Sequence, residues 1–168
     1  MSVNHYENFP VASLLLPGKI RADVINLYRF ARAADDIADE GDFSAEQRRL
    51  KLAAFSEALA QCSTAQALAT TGDTSLDPIF VPLSESICRH QLPIDLLADL
   101  LTAFNQDTRI NRYVTEAELE QYCRYSANPV GRLMLHLFKQ TDEQSLEQSD
   151  AICTALQRIN FLQDVAID

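Results

Sequence analysis

Three features of this sequence predict an all-α chain. Gly (4) and Pro (6) are scarce among its 168 residues and Trp is absent, while Ala, Leu, Gln and Glu abound, so intrinsic preference leans to helix almost throughout. Apolar residues recur at helical spacing along long segments. Ser44 with Gln47 and Thr115 with Glu118 have the spacing of capping boxes, a helix-start signature. Because 47% of the side chains are hydrophobic, one core of ordinary domain size can be buried, and residues 1–168 read as one domain.

An opening helical stretch is interrupted at Pro17-Gly18, where a second helix starts with Ile20, Val24, Leu27, Ala31 and Ala34 at helical spacing. It runs into Asp35 to Asp39 and ends at Gly41-Asp42. The Ser44 capping box opens a third helix, expected to reach about Ala69, and Thr70 to Pro78 is a loop by composition. Helical pattern resumes from Ile79 to Gln91. Pro93 then stands where a first-turn proline belongs, for a helix through roughly Arg109. The Thr115 box opens a helix from Glu116 to about Lys139, with a break or kink expected at Asn128-Pro129 and Gly131. After a polar loop from Gln140 to Ser145, the last helix runs to Asp168.

The formal charge of −10 repels a phosphate backbone, and no Lys/Arg cluster gathers to overcome it, so nucleic acid is not an expected partner. An anionic small molecule meets the same repulsion unless divalent cations stand between it and the carboxylates. Cys62, Cys88, Cys123 and Cys153 lack metal-ligand spacing and read as reduced thiols of a cytoplasmic protein. The longest apolar stretch, Val11 to Leu16, is far too short to span a bilayer, which leaves only peripheral membrane contact open.

In the second helix Tyr28, Arg32, Asp35 and Asp39 fall within about 60° of one another at about 100° per residue, with Asp36 at the edge of the stripe. Ionised carboxylates four apart repel unless a cation bridges them, and hard oxygen donors at this spacing suit Mg²⁺. Alone, the run DDIADEGD describes a solvated acidic helix end, which is what most such runs are, although anions there oppose the helix dipole. The final helix repeats the pattern: Gln157, Asn160, Asp164 and Asp168 lie within about 80° on one face. Its apolar flanks, Leu156, Ile159, Phe161, Leu162 and Val165, predict a largely buried helix whose acids line an interior surface. Two such helices facing one another across a bundle would hold several Mg²⁺ and a diphosphate between them.

NFPVASLLLP (Asn8 to Pro17), YRFARAADDIAD (Tyr28 to Asp39), ELEQYCRYSANPVGRL (Glu118 to Leu133) and LQRINFLQDVAID (Leu156 to Asp168) together resemble the squalene/phytoene synthase family. The resemblance covers nearly the whole chain and implies the isoprenoid synthase fold, a helical bundle around a central cavity, with Mg²⁺ as cofactor and a prenyl diphosphate as substrate. Asp35, Asp36 and Asp39 match the first metal motif, and Asn160, Asp164 and Asp168 the second. Ser13, Tyr28 and Arg32 match positions near the diphosphate, as Gln157 joins the second acidic face. Tyr122, Ala127, Val130 and Gly131 match the kinked helix beside the prenyl chains. Ser13 also reads as a helix start and Tyr122 as a half-buried core tyrosine. Leu133, Leu137 and Phe138 suit either a cavity wall or the core.

Ala127-Asn128-Pro129 and Gln163 depart from the commoner family pattern. With the ENFPVAS opening and the DVAID ending, they resemble the bacterial branch that converts presqualene diphosphate to hydroxysqualene in hopanoid-linked squalene synthesis. Squalene or phytoene synthesis from two prenyl diphosphates is the neighbouring alternative. A non-catalytic relative would be marked by lost aspartates, which this sequence retains, and an inactive fragment by a missing far wall. Family members continue beyond the position of Asp168 with further helices and a basic R-x-Y-x-P segment. The resemblance therefore implies an N-terminal part of the fold, incomplete at the C-terminus and of little turnover alone. It leaves the oligomeric state undetermined.

Overall fold

The structure, a computed structural model, describes residues 16–110 and 112–165, the side chains of residues 164 and 165 excepted. The predicted opening helix, Ser13 and Asp168 lie outside the described residues. Seven helices and no strand occur among the described residues: α1 (Gly18–Asp39), α2 (Ala45–Ala60), α3 (Asp77–His90), α4 (Ile94–Asp107), α5 (Glu116–Ser126), α6 (Asn128–Phe138) and α7 (Glu143–Val165).

Helix α1 is the hub, packed against α2, α3 and α4, while α4 carries α5 and α6, and α6 carries α7. Its buried face, Ile20, Val24, Leu27, Phe30, Ala34 and Ala38, follows the helical spacing of the sequence. Phe30 meets Phe55 of α2 and Phe80 of α3 with ring centroids 6.2 and 5.7 Å away, and Phe55 and Phe80 stand edge-on at 5.2 Å. Leu97 and Leu100 of α4 with Leu133 and Leu137 of α6 complete this core. Asp23, Ser84 and Ser86 are the polar residues buried with it. Asp23 of α1 accepts hydrogen bonds from Ser86 Oγ (2.8 Å) and Arg89 Nη1 (2.6 Å) and faces His90 Nε2 at 2.8 Å, which compensates its desolvation and clips α1 to α3.

Both capping boxes form, with Gln47 N–H donating to Ser44 Oγ (3.2 Å) and Glu118 N–H to Thr115 Oγ1 (3.2 Å). Two boundaries differ from the sequence reading, and a third takes one of the two forms it allowed. Helix α2 stops at Ala60 rather than about Ala69, because side chains capture the following backbone: Leu68 N–H donates to Ser84 Oγ (2.8 Å) and Thr71 N–H to Asp77 Oδ1 (2.7 Å). Pro93 is the extended N-cap of α4 rather than a first-turn residue. The break or kink expected at Asn128-Pro129 is a full break: Ala127 closes α5, and Pro129, which has no N–H to give, sits in the first turn of α6.

Helix α7 corrects a further expectation. It is not largely buried: Ile152, Leu156, Ile159 and Leu162 are exposed, Leu162 at 71%. The face that packs is the other one, because α6 approaches it closely. A Cβ built at Gly131 would strike Ser149 Oγ and Cys153 Sγ, and Thr154 Oγ1 donates to Asn128 Oδ1 at 3.0 Å. The four cysteines are free, and burial pushes the Cys62 thiol up to about 11, which keeps it protonated and inert. No helix among the described residues is long and apolar enough to cross a membrane.

Candidate active site

The last two turns of α1 carry the first acidic motif. Asp35 and Asp36 are half-buried and Asp39 is exposed, while Ala34 before them and Ala38 among them turn into the core and fix which way the acids face. An acidic helix C-terminus is electrostatically unfavourable, and Arg48 of α2 offsets this. Its Nη1 donates to Ile37 O (2.9 Å) and Glu40 O (3.0 Å), its Nη2 to Gly41 O (2.8 Å) and its Nε to Phe43 O (3.3 Å). One guanidinium therefore caps the carbonyls at the end of the helix that presents the carboxylates.

Arg32 lies over those acids. Its Nη1 donates to Asp35 Oδ2 at 3.1 Å and its Nη2 to Glu40 Oε1 at 2.8 Å, and Nη2 also stands 2.8 Å from Asp36 Oδ1. Burial works against the guanidinium charge, but Asp36, Asp35 and Glu40 outweigh it and raise its pKa. Half-buried Tyr28 sits one turn before Arg32 on the same helix face.

Asp107, the last residue of α4, joins this group, although no spacing signal in the sequence marks it. It is half-buried and accepts a hydrogen bond from Tyr122 Oη of α5 at 3.0 Å. Burial pushes its carboxyl up to about 6; the Tyr122 bond lowers it, and the nearby charges of Asp39 and Asp35 raise it further. Tyr122 is buried, so the expectation of a core tyrosine and that of a site residue meet in one side chain. Burial, then the charge of Asp107, raises its pKa, which leaves the phenol a firm donor. Tyr113, whose hydroxyl accepts from Gln106 Nε2 (3.2 Å), is pushed up to about 12 chiefly by burial.

An aromatic cluster extends from here to α7. Tyr113 and Tyr122 pack with centroids 4.9 Å apart and rings tilted by 38°, and Phe161 meets them edge-on at 6.0 and 5.7 Å. Phe161 is the neighbour of Asn160 in sequence, and Gln157 and Asn160 are half-buried there. The start of the second acidic motif is thus joined, through Phe161, Tyr122 and Asp107, to the first. The side chain of Asp164 and all of Asp168 lie outside the described residues.

The other predicted positions are dispersed. Ala127 is the α5–α6 junction, Gly131 faces α7, Val130 is exposed, Leu133 and Leu137 are core, and Phe138 is exposed. Among the described residues no group of three His, Cys, Asp or Glu side chains is gathered so as to enclose a metal ion. The donor chemistry of Asp35, Asp36 and Asp39 nevertheless fits Mg²⁺, which prefers hard oxygens and takes only one or two carboxylates beside waters and phosphate oxygens.

Residues 3–168 match the family model for squalene/phytoene synthase. The chain belongs to the squalene/phytoene synthase family. It is 39% identical over 164 residues to the hydroxysqualene synthase of Zymomonas mobilis, covering 96% of this chain and 51% of that protein. The hydroxysqualene synthase of Sinorhizobium fredii is 36% identical, over 99% of this chain and 53% of its own length. The phytoene synthase of Mycobacterium tuberculosis is 29% identical, over 96% and 50%. The crystal structure of squalene synthase HpnC from Alicyclobacillus acidocaldarius superposes with a TM-score of 0.80 at 38% identity, covering 96% of this chain and 57% of that one. The chain spans about half the length of the curated relatives it matches.

Proposed function

We propose that the protein acts in squalene and hopanoid biosynthesis, ionising presqualene diphosphate with Mg²⁺ and yielding hydroxysqualene and pyrophosphate. The observation that carries this reading is the junction of the acidic turn of α1, with Arg32 and Tyr28 on it, to Asp107, Tyr122 and the Phe161–Asn160 turn of α7. The hydroxysqualene synthases at 36% and 39% identity support the choice of substrate.

Asp35, Asp36 and Asp39 would hold the metal ions from one side, and Asn160, Asp164 and Asp168 from the other. Bound Mg²⁺ supplies Lewis-acid stabilisation of the negative charge that develops on the departing diphosphate. Arg32 adds a forked cation suited to diphosphate oxygens, and Tyr28 a phenolic donor. The carbon–oxygen bond breaks with its electron pair leaving on pyrophosphate, and the rearranged cation is captured by water, which then loses a proton. Tyr122, held by Asp107 and packed in aromatic rings, presents a protonated phenol and π faces, which stabilise a carbocation without acting as a nucleophile. A lipid substrate and product accord with peripheral membrane contact of a cytoplasmic enzyme.

The test is product analysis of the complete gene product with presqualene diphosphate, Mg²⁺ and ¹⁸O-labelled water, without a nicotinamide cofactor. Label should appear in the product alcohol, and Asp35→Asn should abolish turnover while helical content is kept. Squalene formed only with NADPH, or a coupling product made directly from farnesyl diphosphate, would move the assignment to another branch of the family.

A further inference from the structure

Arg32 lies over the acidic end of α1, and both of its terminal nitrogens are committed. Two of its partners, Asp35 and Asp36, belong to the first metal motif. The third does not. Glu40 lies beyond the end of α1, about 100° around the helix from Asp39, and no feature of the motif requires it. A residue eight positions on would stand about 12 Å further along a continued helix, out of easy reach. Glu40 reaches back because the chain leaves the helix there: its backbone is extended (φ −99°, ψ 157°), its N–H donates to Asp36 O at 2.9 Å, and its carbonyl is held by Arg48 Nη1 at 3.0 Å. Arg48 thus fixes the geometry that lets the Glu40 carboxylate accept a directed hydrogen bond from Arg32, whereas Asp36 meets the same nitrogen as an ion pair without hydrogen-bond direction.

We propose that Glu40 is a positioning residue that holds the Arg32 guanidinium against α1 in the resting site and releases it only to a diphosphate bound together with Mg²⁺. The inference rests on the reading of Arg32 as a diphosphate contact. Engagement of Asp35 and Asp36 elsewhere removes two of the three acceptors, and Glu40 is then the remaining one that diphosphate oxygens must displace. A half-exposed ion pair is weak enough to be exchanged in this way and strong enough to keep the side chain in place when the ligand is absent. The arrangement links occupation of the acidic motif to delivery of the cation.

The experiment is calorimetric titration of the chain with inorganic pyrophosphate at fixed Mg²⁺, for the unsubstituted protein, Glu40→Gln, Glu40→Asp, Arg32→Gln and the Glu40→Gln/Arg32→Gln pair. Glu40→Gln should tighten pyrophosphate binding about twofold to fivefold, the range of an exposed ion pair. Glu40→Asp, which keeps the charge but loses one methylene of reach, should tighten it similarly. The gain should vanish in the Arg32→Gln background, as a double-mutant cycle requires of residues acting through one another. Because Glu40 is 60% exposed, its variants should fold normally, and loss of protection of the Arg32 side-chain N–H signals in ¹⁵N NMR should accompany the tighter binding. No tightening, tightening by Gln but not by Asp, or equal tightening without Arg32 would overturn the assignment while leaving the diphosphate reading intact. Failure of the unsubstituted chain to bind pyrophosphate with Mg²⁺ would overturn both.

Discussion

Replacing Asp107 by Asn should stabilise the protein above about pH 6 and leave it nearly unchanged below about pH 4. Burial and the charges of Asp39 and Asp35 raise this carboxyl from its ordinary 3.8 to about 6. An acid whose folded-state pKa is raised binds more protons folded than unfolded between the two values, so stability falls as pH rises through that window and levels off above it. About two pH units at about 1.4 kcal/mol each set an upper bound near 3 kcal/mol. The group is only half-buried, and solvent screening reduces this to about 1–2 kcal/mol. Asn retains an oxygen to accept the Tyr122 hydrogen bond and carries no charge, so its advantage should open between pH 4 and pH 6 and stay constant to pH 8. In a chain of 168 residues this corresponds to about 3–6 °C in Tm. Paired urea and thermal melts at pH 4, 5, 6, 7 and 8, with EDTA to exclude divalent ions, measure it. A benefit as large at pH 4 as at pH 8, or a loss at pH 8, would refute the argument that desolvation and like charge dominate at Asp107.

Gly131→Ala should destabilise by about 1–3 kcal/mol in urea, because the added Cβ strikes Ser149 Oγ and Cys153 Sγ; Ser149→Ala should recover part of the loss, and full tolerance of Ala would show that α6 and α7 are not in close contact there. Asp23→Asn should cost about 2–3 kcal/mol at pH 7, since it removes the buried carboxylate that pairs with Arg89 while Ser86 keeps a partner; a loss below about 0.5 kcal/mol would mean that the clip between α1 and α3 contributes little.

The first acidic stripe was legible in the sequence because it lies within one helix, where spacing alone decides which residues share a face. Tyr28, Arg32, Asp35 and Asp39 are therefore placed by arithmetic, and Ser44 and Thr115 cap where their side chains predict because a capping box closes over three residues. The length of α2 was not legible: its end is decided by Ser84 and Asp77, which arrive from another helix to capture the backbone after Cys62. Periodicity likewise showed an apolar flank on α7 but not which flank would be covered, since that depends on where Gly131 allows α6 to approach.

Composition and local spacing determined an all-α chain, the order of its helices, and a carboxylate face that carries Arg32. Only the tertiary structure decided that Asp107 stands by that face, that Tyr122 is bound to it, that Phe161 brings α7 to the same cluster, and that Arg48 caps the helix from outside. The physical reason is range. Helix faces and caps are set by residues within one or two turns, whereas the partners of a buried carboxyl or a helix end come from segments far apart in the chain, brought together by packing that no local pattern encodes.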